Sequence, residues 1–213
     1  MSNYKTIPLE EAGQLINTVP DADMKAAMQR HLDAFAGFVE EGSSKIILYE
    51  GDVSLPYLAI KDDIVMVNGN LTVTGILEDA MEVNISLIMV FGHVTVQNLF
   101  TFSQICIAGD LIVHNAIIAD STYDYSLHVG GNLKAGLIIE YHHSFYVQGT
   151  VNAGYMYTTH ANAPRGPLQS NLQDAHFIDE VITKDELDLD KALKKIMAGV
   201  SIVRDHHEGM PEH

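Results

Sequence analysis

Apolar and polar residues alternate around six glycines in the middle of the chain. Apolar residues stand two and four positions before each glycine, and again two and four positions after it. This period of two is typical of a strand with one buried face. The glycines lie 18, 23, 17, 22 and 18 residues apart. They are Gly51, Gly69, Gly92, Gly109, Gly131 and Gly149.

A second apolar cluster, such as Leu137 to Ile139, follows most of the glycines after six or seven residues. Each repeat therefore supplies at least two short strands and a turn, which predicts a parallel β-helix of about six coils. An ordinary β-sandwich with accidental spacing is the main rival, and the four aligned apolar columns argue against it. A left-handed hexapeptide solenoid needs an apolar residue every six positions, and the uneven spacing disfavours it.

The two ends of the chain differ from the middle. Periodic apolar residues predict helices over 9–19 and 21–41. A polar stretch after the last coil precedes a predicted helix over 189–198. Apolar-faced helices at both ends would cover exposed strand edges. The sequence thus divides into an N-terminal helical cap (1–44), the β-helix (45–158), a C-terminal loop and helix cap (159–203) and a disordered tail (204–213).

Charge and composition exclude several classes of function. The 213 residues carry 28 acids and 12 bases, a net charge of −16, which disfavours binding to nucleic acid. No apolar run is long enough for a membrane span. The absence of an apolar signal segment, together with a single cysteine, Cys106, predicts a protein of the reducing cytoplasm.

The two long coils carry acidic residues. We expect their extra residues to leave the rod as protruding loops, and neighbouring coils add acids at a similar phase. Such a surface, here called the acidic ledge, suits docking of a basic protein, and the alternative is ordinary solvated loop tips. The ledge comprises Asp62, Asp63, Glu78, Asp79, Glu82, Asp120, Tyr123, Asp124 and Glu140.

A column of mostly apolar residues lies three positions before five of the glycines, in the outward phase of the strand. An outward apolar column needs a cover, which predicts packing of the N-terminal or C-terminal helix, or else a dimer or partner interface. We expect Cys106 to serve packing rather than nucleophilic catalysis. The outward column comprises Met66, Met89, Cys106, His128 and Tyr146.

Other polar residues give weaker signals. Of the eleven histidines, His114, His142, His143 and His160 could converge, but they match no metal-binding motif. We therefore expect no metal, no cofactor and no catalytic set. Short polar residues directly after the glycines suit hydrogen bonding to nearby backbone. They are Asp52, Asn70, His93, Asp110, Asn132 and Thr150.

The coils resemble those of bactofilin-like bacterial proteins, also described as polymer-forming cytoskeletal proteins. The resemblance lies in runs such as 67–73 and 107–113 and covers about residues 47–157. It implies a right-handed β-helix and, in true bactofilins, end-to-end polymerisation. The helical N-terminal segment and the long C-terminal extension depart from that family.

These features together predict a non-catalytic, cytoplasmic β-helix that binds another protein. The sharper hypothesis is an immunity-type protein that neutralises a basic bacterial toxin or effector. The alternative is a self-associating, bactofilin-like scaffold, hence a homo-oligomer. An enzyme built on the solenoid is a third possibility, which would require titratable groups with shifted pKa values in a cleft.

Overall fold

The computed structural model describes residues 4–79, 86–121, 125–159 and 172–204. The chain forms two compact units, Met1–Gln169 and Ser170–His213. The first unit begins with strand β1 (Tyr4–Ile7), helix α1 (Leu9–Ile16) and helix α2 (Ala22–Glu40). The strands described after them are β2 (Ile46–Glu50), β3 (Val53–Leu55), β4 (Leu58–Ile60), β5 (Ile64–Asn68), β6 (Leu71–Asp79), β7 (Leu87–Val90), β8 (Val94–Thr101), β9 (Gln104–Ile107), β10 (Leu111–Asp120), β11 (Ser126–Val129), β12 (Leu133–Tyr141), β13 (Ser144–Val147) and β14 (Val151–Thr158).

These strands form two sheets. Sheet A has the order β1-β2-β5-β7-β9-β11-β13, and sheet B has the order β14-β12-β10-β8-β6-β3, with β4 also beside β6. Each coil contributes a strand to sheet A and a strand to sheet B, and equivalent strands pair in parallel along the stack. The predicted fold is therefore confirmed: the first unit is a parallel β-solenoid of about six turns.

The core fills the inside of the coils with residues from the predicted columns. Val67 pairs in register with Val90, and Val90 pairs with Ile107, so like residues stack on like residues. Inward-facing residues of both sheets form one buried cluster. In sheet B the register shifts between Val113 and Ala116, where a bulge bends the strand. Removal of these apolar columns from water drives the stacking of the coils.

The glycines let neighbouring coils approach closely. The Gly92 N–H donates to the Gly69 carbonyl oxygen at 2.9 Å, and the Gly109 N–H donates to the Gly92 oxygen at the same distance. A Cβ on Gly92 would lie 2.6 Å from the Gly69 oxygen and 2.4 Å from the Asn70 Oδ1 atom. The absence of a side chain at these glycines therefore lets the backbones of successive coils approach closely.

The polar residues after the glycines form a ladder along the stack. Each side chain accepts a hydrogen bond from the backbone N–H of the equivalent residue in the next coil, at distances of 2.7 to 3.0 Å. Each rung satisfies a backbone donor that the turn leaves without a strand partner. The rungs are Asp52, Asn70, His93, Asp110 and Asn132, and the last donor is Thr150.

The N-terminal segment covers part of the solenoid. The Asp21 carboxylate caps α2 by accepting from the Met24 N–H at 2.7 Å. The apolar stripe of α2, including Met28 and Phe35, packs on the outer face of sheet A. Strand β1 pairs antiparallel with β2 at the edge of that sheet. The sequence predicted the helices but not this strand.

The second unit contains two 3₁₀ turns, Asp174–His176 and Asp179–Val181, followed by strands β15 (Ile182–Thr183) and β16 (Glu186–Leu187) and helix α3 (Leu189–Met197). The strands form an antiparallel pair. Helix α3 confirms the predicted C-terminal helix. Its role as a cap of the solenoid stays a prediction, and the predicted tail lies almost wholly outside the described residues. Among the described helices, none is long and apolar enough to cross a membrane.

The glycine contacts predict opposite effects of alanine at two glycines. We expect Gly92→Ala to lower the free energy of unfolding by about 1–3 kcal/mol, because its Cβ meets backbone that cannot move without separating two coils. The control is Gly37→Ala in α2, where nothing lies within 4 Å of the added Cβ and the helix gains up to about 1 kcal/mol. Denaturant unfolding measures both variants. Equal effects of the two substitutions would contradict the stacking argument.

Candidate functional site

The outward column runs under helix α2. Met66, Met89 and Cys106 are fully buried and belong to one cluster with Met24, Met28 and other residues of the N-terminal segment. The expectation that a terminal helix covers this column is confirmed for these three residues, and the helix is the N-terminal one. Burial also raises the pKa of the Cys106 thiol to about 12, so it stays protonated at neutral pH. Cys106 therefore serves packing.

The last two members of the column, His128 and Tyr146, lie at one side of α2 and line a cleft of about 460 Å³. Their rings stack with centroids 4.6 Å apart and planes inclined by 17°. Tyr146 is 42% exposed, which marks the open side of the cleft. The other residues that line the cleft are Asp23, Met24, Ala27, Arg30, His31, Ser126, Val129 and Gln148.

Two histidines meet in this cleft. His31 of α2 and His128 of β11 bring their Nε2 atoms to 3.3 Å, and the Ser126 hydroxyl lies 3.0 Å from the same nitrogen of His128. Behind them the side-chain amide of Gln104 donates to the Ser126 hydroxyl oxygen at 2.9 Å. The result is a polar chain that leads from the buried sheet to the cleft. A contact between neutral imidazoles requires one Nε2 to carry the proton and the other to accept it.

Burial keeps both histidines neutral at physiological pH. It lowers the pKa of His31 to about 4 and that of His128 to about 3, and the charge of Arg30 acts in the same direction on both. Sequence reasoning placed His128 in the outward column but missed its contact with His31. These residues lie 97 positions apart, and only the docking of α2 brings them together.

The acidic ledge lies along one edge of the solenoid, where strands of sheet B end and strands of sheet A begin. Asp62 and Asp63 lie in the connection from β4 to β5, and Asp120 is the last residue of β10. The ends of β6 and β10 and the starts of β7 and β11 also lie at this edge. The short coils join the two sheets there through residues 102–103 and 142–143, and most residues between β6 and β7 and between β10 and β11 lie outside the described ranges.

The prediction that these acids lie in protruding loops is wrong for three of them. Glu78 and Asp79 end strand β6, and Asp120 ends β10, because the strands of sheet B extend further than the apolar clusters indicated. Four of the ledge acids are half-buried, namely Asp62, Asp63, Glu78 and Asp120. Glu82, Tyr123 and Asp124 lie outside the described residues.

Two ledge acids are buried and bind the chain itself. Asp79 is 1% exposed and accepts from the Thr101 hydroxyl at 2.8 Å and from the Phe102 N–H. Glu140 is also 1% exposed and accepts from the His143 N–H at 2.8 Å and from the Thr158 hydroxyl. Their carboxylates stabilise the coil corners and do not face solvent. The inclusion of these two residues in a docking surface is therefore a wrong expectation.

The sequence held a signal for this burial. Asp79 stands two positions after Leu77, and Glu140 stands two positions after Ile138, so both acids occupy the inward phase of their strands. Two equivalent residues, Ile60 beside Asp79 and Ala119 beside Glu140, are apolar and buried. The usual exposure of acidic residues favoured loop tips, whereas the period of two placed both acids inside the coil.

The remaining half-buried acids are partly engaged. The Tyr57 hydroxyl donates to Glu78, and this bond raises the pKa of Tyr57 to about 12. The Lys45 N–H donates to the Asp63 carboxylate at 2.9 Å. Desolvation raises the pKa of Asp120. Each of these acids keeps part of its surface open to solvent.

Comparison with known proteins does not identify a family. No protein-family model matches the chain, and no curated protein and no solved structure matches it significantly. Among the described residues, no group of three or more histidine, cysteine, aspartate or glutamate side chains is arranged to hold a metal ion. Of the histidines considered for a metal site, His114 and His142 are exposed, His143 is buried and His160 lies outside the described residues.

Neutral His31 and His128 predict loss of stability in acid. The unfolded chain takes up protons near the ordinary histidine pKa of 6.5, whereas the folded protein resists until about pH 4 and below. The free energy of unfolding should therefore fall as the pH drops from 6.5 to 4. The cleft wall also carries the titratable residues Asp23, Arg30 and Tyr146, which the test variants leave unchanged.

Urea unfolding at several pH values measures this effect. We expect the double variant His31→Gln/His128→Gln to lose most of the downward slope in that interval. His114→Gln, at an exposed position, serves as the control and should keep the wild-type slope. An unchanged slope in the double variant would show that the pair is not responsible.

Asp79 predicts a pH effect of opposite sign. Burial raises its pKa to about 7, so the unfolded chain releases this proton near pH 3.8 while the folded protein retains it. Its contribution to stability is therefore lost as the pH rises from about 4 to 7. Asp79→Asn stays neutral and can still accept from Phe102. Its free energy of unfolding relative to wild type should rise across this range, by at most about 1.4 kcal/mol per pH unit. Asp33→Asn, at an exposed position on α2, should show no such trend.

Proposed function

We propose that this chain is a non-catalytic protein-binding β-solenoid whose acidic ledge binds a basic protein, in the manner of an immunity protein that neutralises a toxin. The observation that carries the proposal is the placement of half-buried acids at one edge of the solenoid, with Asp62 and Asp63 before β5, Glu78 near the end of β6 and Asp120 at the end of β10. Carboxylates gathered at one edge attract a basic partner and speed the encounter of the two proteins.

The distribution of basic residues supports a negative field at this edge. Lys134 is the only lysine or arginine between Lys61 and Arg165. It lies next to the first residue of β12 and therefore at the far end of the strand from the ledge. Among the described residues of the ledge, no lysine or arginine therefore lies beside Asp120. Negative charges without a nearby base attract a basic partner, but they add little to the stability of the fold.

The nucleophile candidates favour binding over catalysis. Cys106 is fully buried and protonated. The Ser126 hydroxyl is buried and already exchanges hydrogen bonds with the side-chain amide of Gln104. Neither group is placed to attack a substrate.

A bactofilin-like scaffold is the second candidate. Strands β13 and β14 end sheets A and B, and edges of this kind can pair with another chain. At the other end, β1 already pairs with β2 in the antiparallel direction, so parallel stacking of a second copy on sheet A would require its displacement. This capped edge favours a discrete binder. Sedimentation and electron microscopy distinguish concentration-dependent filaments from a small defined species.

Charge variants test the ledge directly. The probe is each basic protein encoded beside this gene, titrated by calorimetry in low salt. We expect Asp62→Asn/Glu78→Gln/Asp120→Asn to weaken binding roughly tenfold. The control Glu10→Gln/Asp33→Asn/Glu40→Gln removes the same charge from α1 and α2, where these residues are exposed, and should bind nearly as wild type. Added salt should weaken the wild-type complex.

Two results would overturn the proposal. One is the failure of every basic neighbour to bind in low salt. The other is equal weakening by both triple variants, which would indicate attraction to the overall charge of −16 rather than to the ledge.

A further inference from the structure

The histidine pair in the cleft has the arrangement of two metal ligands. We propose that His31 and His128 bind a divalent transition-metal ion, such as Cu²⁺, Zn²⁺ or Ni²⁺, through their Nε2 atoms. The two rings come from α2 and β11, their centroids are 5.2 Å apart and their planes are inclined by 57°. This site is separate from the acidic ledge, and its failure would leave the proposed function untouched.

The distance between the nitrogens fits a shared ion. In a tetrahedral zinc site with Zn–N bonds of about 2.0–2.1 Å, two ligand nitrogens lie about 3.3–3.4 Å apart. The Nε2 atoms of His31 and His128 are separated by 3.3 Å. For an ion to bind both Nε2 atoms, the ring that carries the Nε2 proton passes it to solvent and takes up a proton on Nδ1, so that both rings stay neutral. Cu²⁺, Zn²⁺ and Ni²⁺ all bind imidazole nitrogen well.

The pair is held in position before any ion binds. Tyr146 stacks on one face of His128, and Ser126 contacts its Nε2 atom. His31 is carried by α2, which the buried residues Met28 and Leu32 fix on the sheet. Ligands that are already placed lose little conformational entropy on binding.

The electrostatics of the cleft favour the form that binds metals. Both imidazoles are neutral at pH 7, so the ion does not have to displace a second proton. Arg30 opposes a cation through its charge, while the Asp23 carboxylate on the same wall favours one. The cleft is open beside Tyr146, which leaves the remaining coordination positions accessible to water or to a donor atom of a bound molecule.

Calorimetric titration of the full chain with CuCl₂, ZnCl₂ and NiCl₂ at pH 7.5 tests the site. We expect saturable binding of one ion, tightest for Cu²⁺. His31→Gln and His128→Gln should each weaken it by about tenfold or more, because one of the two protein ligands is gone. His114→Gln should leave the affinity unchanged. His206→Gln/His207→Gln/His213→Gln removes the histidines of the C-terminal tail and should retain the site.

A restored ligand separates coordination from a structural effect. His31→Cys returns a donor atom for zinc, so it should recover Zn²⁺ binding that His31→Gln loses. His31 lies on helix α2 and not in a strand of the stack, so its variants test the site even if His128→Gln does not fold. Loss of binding in the tail variant alone, or equal binding by wild type and both cleft variants, would overturn the proposal.

Discussion

The contact between the backbones of successive coils at the glycine turns is the constraint on which the structure depends. The chain can stack in parallel only if each turn lies directly on the one before it, and Gly92 and Gly131 would each place a Cβ against backbone of the preceding coil. Once the turns are in contact, the strands on both sides are in register and the apolar columns meet. The core, the ladder and the alignment of the ledge all follow from this single contact.

The interior and the surface of the solenoid use carboxylates differently. Rungs such as Asp110 lie near solvent, where the backbone N–H of Asn132 lowers the pKa of the carboxyl and favours its charged form. Asp79 serves a similar backbone donor from a buried position, where desolvation raises its pKa. The backbone hydrogen bond lowers the pKa at both corners of the coil, but at Asp79 desolvation outweighs it.

Local sequence was sufficient for the solenoid, because the period of two and the spacing of the glycines are both readable without distant contacts. Helix α2 was predicted for the same reason, although its stripe alone did not show which terminal helix covers the outward column. Strand β1 was missed because only Ile7 among its four residues is buried. The burial of Glu140 was missed because acidic residues are usually exposed, and this expectation outweighed the inward-facing position of Glu140 in its strand. The pairing of His31 with His128 depends on the docking of α2, which no local pattern encodes.

The polar ladder implies that two neighbouring positions of each turn, the glycine and the rung after it, tolerate substitution differently. A rung needs only an acceptor atom at the right distance, and the chain accordingly uses aspartate, asparagine and histidine in that role. The preceding position must lack a side chain and admits only glycine. Related sequences should therefore drift in chemistry along the rungs while the glycines stay fixed, and a coil should be gained or lost only as a whole.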